Sequence, residues 1–237
     1  MKSQQNCGIC GKTLAYQADP VPASCTFCGK QAQANIYCPD GHYICDACHQ
    51  SEALAILRQV LEKTTSKDPQ YIAETIMSHP AVPMHGLEHH AIVPAAIVAA
   101  VLNAGYSVPE GAIEKSVSRG ATVPGGWCGF YGDCGAAVGV GIAVSVLTEA
   151  TPLTGKQRSL AMEATSYALS KLIDEQPRCC KRMTRKAIEA AAQFLADRLD
   201  ISLNTGKLVS CNYSSRNEEC IKTECAYYSE LESKSSV

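Results

Sequence analysis

Two Cys-x-x-Cys pairs near the start of the chain have the residue types and spacing of zinc ligands. The segments CGIC and CTFC hold Cys7 with Cys10 and Cys25 with Cys28, and 14 residues separate the two pairs. Four thiolates around one ion form the tetrahedral sulfur site that zinc prefers, and this separation is at the short end of the usual range. The spacing therefore favours zinc ligation over free or disulfide-linked thiols.

The next segment, CPDGHYICDACH, offers Cys38, His42, Cys45 and Cys48 for a second tetrahedral site, with His49 as an alternative to His42. Consecutive pairing of ligands would give two stacked ribbons, and alternate pairing would give a cross-brace. A segment of about 50 residues has too small a core to fold alone, so metal binding would supply folding energy. Because a closed four-ligand site has no position for a substrate, the two zinc ions predicted here are structural.

A second candidate centre starts in the segment MHGLEHH. His85, Glu88 and His89 follow the H-x-x-E-H order of the inverted zinc peptidases, in which the glutamate acts as the base. Three interpretations are open: a zinc hydrolase, binding of another metal or substrate, and histidines that cap the next helix. Pro94 would clash with the carbonyl of His90 in a continuous helix, which predicts a separate turn over residues 85–89.

Four cysteines in the middle of the chain lie in settings that favour thiolates. In the segment GGWCGFYGDCGAAVGVGIAVSVL, Cys128 precedes Cys134, which begins a predicted helix whose N–H groups and dipole would lower a thiol pKa. In PRCCKRMTRK, Cys179 and Cys180 stand among five bases without an acid, and helical phase points Cys180 inward. These cysteines could form a thiol centre or hold an iron–sulfur cluster or second metal. Alternatively, Cys134 and Cys180 are small buried apolar residues.

The elements that must position these residues are helices. Apolar spacing and capping residues predict helices over 51–63, 68–79, 92–104, 109–118, 134–149, 155–175 and 180–199. The stretches 91–102 and 134–147 have almost no polar face, which is typical of helices buried on all sides. The predicted fold class is mainly α, a helical domain around two buried apolar helices, preceded by a small zinc-ribbon or knuckle module.

These patterns divide the chain into a zinc-binding module (1–50), a helical domain with the central Cys/His site (51–205) and a cysteine-containing tail (206–237). The tail shows no apolar pattern, and its end is predicted to be disordered. Its cysteines would be either extra ligands of the central site or accessory thiols; they are Cys211, Cys220 and Cys225.

The composition of the 237-residue chain excludes some classes of function. A net charge of -2 gives no signal for nucleic-acid binding. The longest apolar runs, 12 and 14 residues, are too short to cross a membrane, and the start of the chain has no secretory pattern. We therefore expect a cytoplasmic protein, a compartment where clustered cysteines bind metal or do redox chemistry.

Three segments together resemble an uncharacterised cysteine-rich domain family of anaerobic bacteria and archaea, over roughly residues 50–225. They are MHGLEHHAIVPAAIVAAVLNAG, PGGWCGFYGDCGAAVGVGIAVSVL and PRCCKRMTRKAI. Members of that family often occur beside radical-SAM proteins or methyltransferases. The shorter segment GDCGAAVGVGIAV is similar to the C-GCAxxG-C-C proteins, which are regarded as redox-active. The resemblance implies an anaerobic setting, a mostly helical fold, a thiol or metal cofactor and a redox, radical-SAM or methyltransferase partner.

The main functional hypothesis is therefore a redox-active or metal–sulfur protein of anaerobic metabolism, accessory to radical-SAM or methyl-transfer chemistry. It predicts that the His85–His89 segment and the central cysteines converge in space. One alternative is a zinc-dependent hydrolase in which Glu88 is the base. The other is an adaptor whose zinc module binds a protein partner. The sequence does not decide whether the protein is an enzyme.

Overall fold

The computed structural model describes residues 7, 10, 12–26, 29–206 and 209–229, with the side chains of residues 47–51 left out of the description. The N-terminal module contains an antiparallel pair of strands, β1 (Ala15–Ser24) and β2 (Gln31–Tyr37). Ala15 pairs with Tyr37 and Ser24 with Gln31, and the register shifts between Tyr16 and Val21. The strands link the ligand-bearing turns, so the small module that we predicted contains a hairpin.

The rest of the described chain is helical, as the spacing of apolar residues predicted. The helices are α1 (Asp46–Lys63), α2 (Pro69–Ser78), α3 (Glu88–Asn103), α4 (Ala112–Ala121), α5 (Trp127–Phe130), α6 (Gly135–Leu147), α7 (Gly155–Leu172) and α8 (Cys180–Leu199). Asp68 caps α2 by accepting hydrogen bonds from the N–H groups of Gln70 and Tyr71, and Pro69 occupies the first helical position. No helix in the described residues is long and apolar enough to cross a membrane.

The two apolar helices α3 and α6 pack together at the centre of the domain, which confirms their predicted role. Gly139 permits the close approach, because a Cβ at this position would lie 2.9 Å from Cδ of Pro94 and 3.0 Å from Cβ of Val93. Burial of apolar surface at such contacts is the main favourable term in folding. The remaining long helices pack around this pair, and the N-termini of α3, α6 and α8 lie at one end of it.

Pro94 does not break α3, so the predicted separate turn over residues 85–89 is wrong at its C-terminal end. The helix begins at Glu88, and Pro94 lies inside it. Proline has no N–H, so the carbonyl of His90 loses its partner four residues later. Gly120 of α4 lies against this carbonyl: a Cβ on Gly120 would be 2.6 Å from the oxygen. Gly120 of α4 thus packs closely against the turn of α3 that contains Pro94, and the helix that the sequence alone predicts to be interrupted is continuous.

The tail packs against the helical domain over residues 211–228, which we call the C-terminal strap. It contains two short 3-10 helices, Ser214–Arg216 and Lys222–Glu224. Tyr213 is 2% exposed and Tyr227 is 4% exposed, and the N–H of Cys211 donates to the carbonyl of Tyr227 at 2.7 Å. The prediction that the tail lacks core-forming residues is therefore wrong for the strap, where two tyrosines do the packing. The disorder predicted for the end of the chain concerns residues 230–237, which lie outside the described residues.

Candidate metal centres

The first candidate centre gathers Cys7, Cys10, Cys38 and His42, whose ligand atoms all lie within 4.8 Å of one another. The sulfurs of Cys10 and Cys38 are 3.5 Å apart, and Nδ1 of His42 is 3.7 Å from the sulfur of Cys38. A tetrahedral ion with zinc–sulfur bonds of about 2.3 Å places its sulfurs about 3.8 Å apart. The group thus has the donor set and the spacing to hold one metal ion.

Backbone hydrogen bonds hold these ligands in knuckle-like turns. The N–H of Cys7 donates to the carbonyl of Lys12 at 2.7 Å, and Cys38 N–H donates to His42 at 3.2 Å. The two turns are joined at the surface by an ion pair of 2.7 Å between Lys12 and Asp40. An ion held by these four residues would join two turns that lie far apart in sequence.

The grouping favours alternate over consecutive pairing of the predicted ligands. Cys7 and Cys10 meet Cys38 and His42, not the second Cys-x-x-Cys pair. Cys25 instead lies beside Cys45, whose N–H donates to the sulfur of Cys25 at 3.3 Å, and both residues are 3% exposed. Of the other predicted ligands of this second group, Cys28 lies outside the described residues. The side chains of Cys48 and His49 are not described. Among the described residues, Cys25 does not join the group that contains Cys7 and Cys10, which counts against the four-thiolate site that the first two pairs suggested.

The second candidate centre lies where the N-termini of α3, α6 and α8 meet. The imidazole of His90 fills the space beside Gly135, where a Cβ would lie 2.4 Å from the ring. The backbone of Gly86 forms a hydrogen bond with the thiol of Cys180, and Cys134 is within electrostatic range of the same thiol. The predicted convergence of the histidine segment with the cysteines is thus observed for Cys134 and Cys180.

The hydrogen bonds of His85 and His89 leave one nitrogen of each ring without a partner. Nδ1 of His89 lies 3.1 Å from the carbonyl oxygen of Gly86, so it must carry the proton. Nε2 of His85 lies 3.2 Å from Oδ1 of Asn217, whose orientation is fixed because the same oxygen accepts from the N–H of Glu219 at 3.1 Å. Nε2 of His89 and Nδ1 of His85 are buried and have no hydrogen-bond partner among the described residues.

This arrangement is the one in which a histidine ligates metal. A ligating imidazole donates its other N–H to a carbonyl or carboxylate oxygen, which fixes the tautomer and raises ligand basicity. Burial lowers the pKa of His85 and holds that of His89 well below its usual value. Both rings are therefore neutral at pH 7, with a lone pair directed into the protein interior.

The thiols of this region have raised pKa values, contrary to the prediction from the helix N-termini and the basic residues. Burial raises the pKa of Cys134, although the first N–H groups of α6 act in the opposite direction. Burial also raises the pKa of Cys179 and raises that of Cys180 to about 12. Loss of water costs a thiolate more than the backbone dipoles return, so these thiols are protonated in the metal-free protein.

Arg182 and Arg185 lower the pKa of Cys179, and Arg178 lowers that of Cys180, but burial outweighs them. Four of the five bases around these thiols are paired with acids. The ion pairs are Arg178–Glu219 at 3.7 Å, Arg182–Asp174 at 3.4 Å, Arg185–Glu74 at 2.6 Å and Lys186–Asp174 at 3.3 Å. The fifth base, Lys181, is 2% exposed, donates to the carbonyl of Met77 at 2.9 Å and lies over the ring of Tyr213.

No three of the four central cysteines, all of which the structure describes, have sulfurs within 4.8 Å of one another, although Cys180 lies within electrostatic range of both Cys134 and Cys179. Cys179 caps α8, accepting from the N–H of Arg182 at 3.4 Å, and its electrostatic neighbour is Cys211 of the strap. Cys128 is exposed on α5, within electrostatic range of Cys134. Cys180, which helical phase predicted to point inward, is partly exposed as a whole residue whereas Cys179 is buried, but the Cys180 thiol itself lies inside the protein, where burial raises its pKa to about 12. The N-terminal group is the only set of three or more candidate ligands within 4.8 Å among the described residues.

Comparison with known proteins gives one match. A family of unknown function, DUF5714, matches residues 57–228. The chain belongs to this family. Neither a search of curated proteins nor one of solved structures found a match.

The limits of the DUF5714 match separate the two candidate centres. The match starts within α1 and ends at the last residue of the strap. The central histidines, the central cysteines and the whole strap thus belong to the family domain, and the N-terminal Cys/His group lies outside it. The match agrees closely with the range of the resemblance found from the sequence.

Of the DUF5714-domain residues near the central site, Asn217 gave no signal in the sequence, whereas Cys211 was named among the tail cysteines and His90 stands in the segment MHGLEHH. Asn217 contacts His85 across 132 positions, and Cys211 reaches Cys179 from the strap. Nδ1 of His90 lies 2.9 Å from the carbonyl oxygen of Val123, which ties α3 to the loop after α4. Only the folded chain brings Asn217 to His85, because the asparagine stands in no recognisable motif.

Proposed function

We propose that this chain is a metal–sulfur protein, with its working centre at the meeting point of α3, α6 and α8. The proposed ligands are His85, His89, Cys134 and Cys180. The observation that carries the proposal is the buried Nε2 of His89, which has no hydrogen-bond partner in the described structure. An unpaired polar atom in a protein interior costs free energy, and a metal ion would remove this cost.

The raised thiol pKa values favour metal binding over thiol–disulfide exchange. A thiol that attacks a disulfide reacts as the thiolate, which is scarce at neutral pH when the pKa of Cys180 is about 12. A bound metal ion deprotonates its thiol ligands outright. Cys134 and Cys180 therefore lie in an environment where a cation, rather than a neighbouring base, would generate the thiolates.

The donor set of two imidazoles and two thiolates suits zinc or an iron–sulfur centre. The four ligand atoms are not yet within 4.8 Å of one another, so binding a single ion would require side-chain rotation. A cluster holds its ligands farther apart than one ion does, which favours the iron–sulfur alternative and with it electron transfer. In this proposal the N-terminal Cys/His groups hold structural zinc.

The zinc-hydrolase alternative has less support. His89 and Glu88 are each 1% exposed, and a hydrolytic zinc needs an open coordination position that a substrate can reach. The adaptor alternative concerns the N-terminal module, and the residues of this module that the structure describes show no surface feature that identifies a partner. The anaerobic setting and a redox, radical-SAM or methyltransferase partner are part of the proposal through the family resemblance alone, and the cytoplasmic location is part of it through the sequence composition.

The proposal is tested by anaerobic purification of the full chain, followed by metal analysis, acid-labile sulfide analysis and a visible spectrum. The wild type is compared with His89→Gln and Cys180→Ser, and with Cys225→Ser as a control in the strap. We expect both site variants to lose the metal, and any sulfide and colour, of the central site, whereas the control keeps them. Equal metal and sulfide contents in all four proteins would refute the central site.

A second comparison separates the N-terminal zinc from the central metal. Cys38→Ser removes one ligand of the Cys7/Cys10/Cys38/His42 group. This variant should lose zinc while keeping the metal that depends on His89. If Cys38→Ser and His89→Gln lose the same metal, the two centres are not independent and the assignment is wrong.

A further inference from the structure

The C-terminal strap supplies a side chain to the central site from the far end of the domain. Asn217 is 8% exposed, and its Oδ1 lies 3.2 Å from Nε2 of His85. The N–H of Glu219 can only donate, and it points at the same oxygen at 3.1 Å. These contacts fix the Asn217 amide orientation, and the amide in turn fixes the proton of His85 on Nε2.

The strap is anchored on both sides of Asn217. The hydroxyl of Tyr213 donates to Glu74 at 3.4 Å, and the hydroxyl of Tyr227 donates to Glu189 at 3.0 Å. Both tyrosine rings also face the guanidinium of Arg185, at 5.5 Å and 5.3 Å. The asparagine is thus held in place by contacts with α2 and α8, and its position depends on the strap being docked.

We infer that Asn217 is a positioning residue, which keeps the Nδ1 lone pair of His85 available for a metal ion as long as the strap is docked. The part of this inference that concerns metal rests on the proposed function. Without the Asn217 acceptor, the Glu219 carboxylate oxygen, 3.8 Å from Nε2 of His85, is too far away for a hydrogen bond, so a neutral His85 ring can place its proton on Nδ1, which removes the lone pair that faces the interior. Metal binding and strap docking are therefore coupled, and each stabilises the other.

The first test measures the His85 tautomer in the metal-free, full-length chain by ¹⁵N–¹H correlation spectra of the histidine rings at pH 7.5. Wild type and Asn217→Asp should both show protonated Nε2, because aspartate still offers an acceptor. Asn217→Leu should shift the ring toward the Nδ1-protonated form, and Glu218→Ala, an exposed change in the same strap, should not. If His85 in Asn217→Leu is still protonated on Nε2 as in wild type, the inference is wrong, whatever the metal content.

The second test measures metal affinity with Co²⁺ as the visible probe. Loss of an outer partner of a ligating histidine typically weakens binding about 10–100-fold, so Asn217→Leu should weaken the central Co²⁺ site by that factor. Glu218→Ala and Asn217→Asp should stay within about threefold of wild type. If Asn217→Leu shifts the His85 tautomer but leaves the Co²⁺ affinity unchanged, Asn217 positions the ring but His85 is not a metal ligand. Failure of the positioning role and failure of the metal site are therefore distinguishable.

The third test measures strap docking and covers the case in which Asn217→Leu folds poorly. Arg216 and Lys222 are exposed in the strap and provide sites for trypsin. Metal should slow cleavage at these sites in wild type and in Glu218→Ala, and it should not do so in His85→Gln. Equal cleavage of wild type with and without metal would refute the coupling.

Discussion

The ion pair between Arg185 and Glu74 offers a sharp test of how the strap region is stabilised. Nε of Arg185 lies 2.6 Å from Oε1 of Glu74, and the second guanidinium nitrogen lies 3.0 Å from Oε2. The Arg185 side chain is 1% exposed and that of Glu74 is 20% exposed. Glu74→Gln removes the negative charge with little change in shape and leaves a buried guanidinium without a counter-charge.

The expected loss of stability follows from this burial. Removing one partner of a buried ion pair costs about 3–5 kcal/mol. Because water reaches the partly exposed Glu74, we expect the lower end, about 3 kcal/mol, which is roughly a 150-fold increase in the unfolding equilibrium constant. For a domain of this size the melting temperature should fall by roughly 6–12 °C. Urea unfolding followed by far-UV circular dichroism measures the free energy directly.

The chain contains a matched control. Arg198 and Glu163 also form a two-point pair, with a distance of 2.9 Å, but their side chains are 49% and 44% exposed. Glu163→Gln should therefore cost at most about 1 kcal/mol. The double variant Glu74→Leu with Arg185→Met should be more stable than Glu74→Gln, because it removes the buried charge instead of leaving it unpaired. If Glu74→Gln costs no more than Glu163→Gln, the argument from burial is refuted.

Three further predictions concern the helical core and the central site. Gly120→Ala should destabilise the domain by about 1–3 kcal/mol because the new Cβ would meet the backbone of α3. The control Gly155→Ala has open space around it and should stabilise the domain by up to about 1 kcal/mol. Urea unfolding midpoints measure both effects, and equal midpoints would contradict the packing argument. Burial lowers the pKa of His89 below 6.5 in the folded chain, so the unfolded chain binds more protons and stability falls as the pH drops below 6.5, by up to about 1.4 kcal/mol per pH unit. His89→Asn should flatten this slope in urea titrations between pH 7.5 and 5.5, and an unchanged slope would rule the histidine out. In the metal-free protein, iodoacetamide at pH 8 should label exposed Cys128 well before Cys180, whose thiol is protonated; mass spectrometry of the peptides reports the order, and comparable rates would contradict the burial of Cys180.

The helices were predictable because their signals are local. Apolar spacing located α3 and α6 and identified them as the central pair, and Asp68 with Pro69 marked the start of α2. The effect of Pro94 was not predictable, because the close approach of Gly120 to the His90 carbonyl depends on how α4 packs. Pro94 does remove a backbone hydrogen bond, as the sequence predicts, but α3 is not interrupted there.

In the candidate sites, too, the features that local sequence determines were predictable, and those that depend on the folded chain were not. The ligand types of the N-terminal module follow from spacing, whereas their alternate pairing depends on the path of the hairpin between them. For Cys180, the sequence indicated a basic environment and hence a thiolate. The bases turned out to be paired with acids such as Glu74 and Glu219, which lie far away in sequence, and burial decides the protonation state instead.

Alternate pairing has a consequence for how the N-terminal module is assembled. Cys10 meets Cys38 across 28 positions and Cys25 meets Cys45 across 20, so the two loops overlap along the chain. Closing one loop shortens the free chain that must be ordered to close the other, which lowers the entropic cost of the second closure. We therefore expect the two groups to form and to open cooperatively. A chelator that extracts the ion at Cys38 should also release the segment around Cys25.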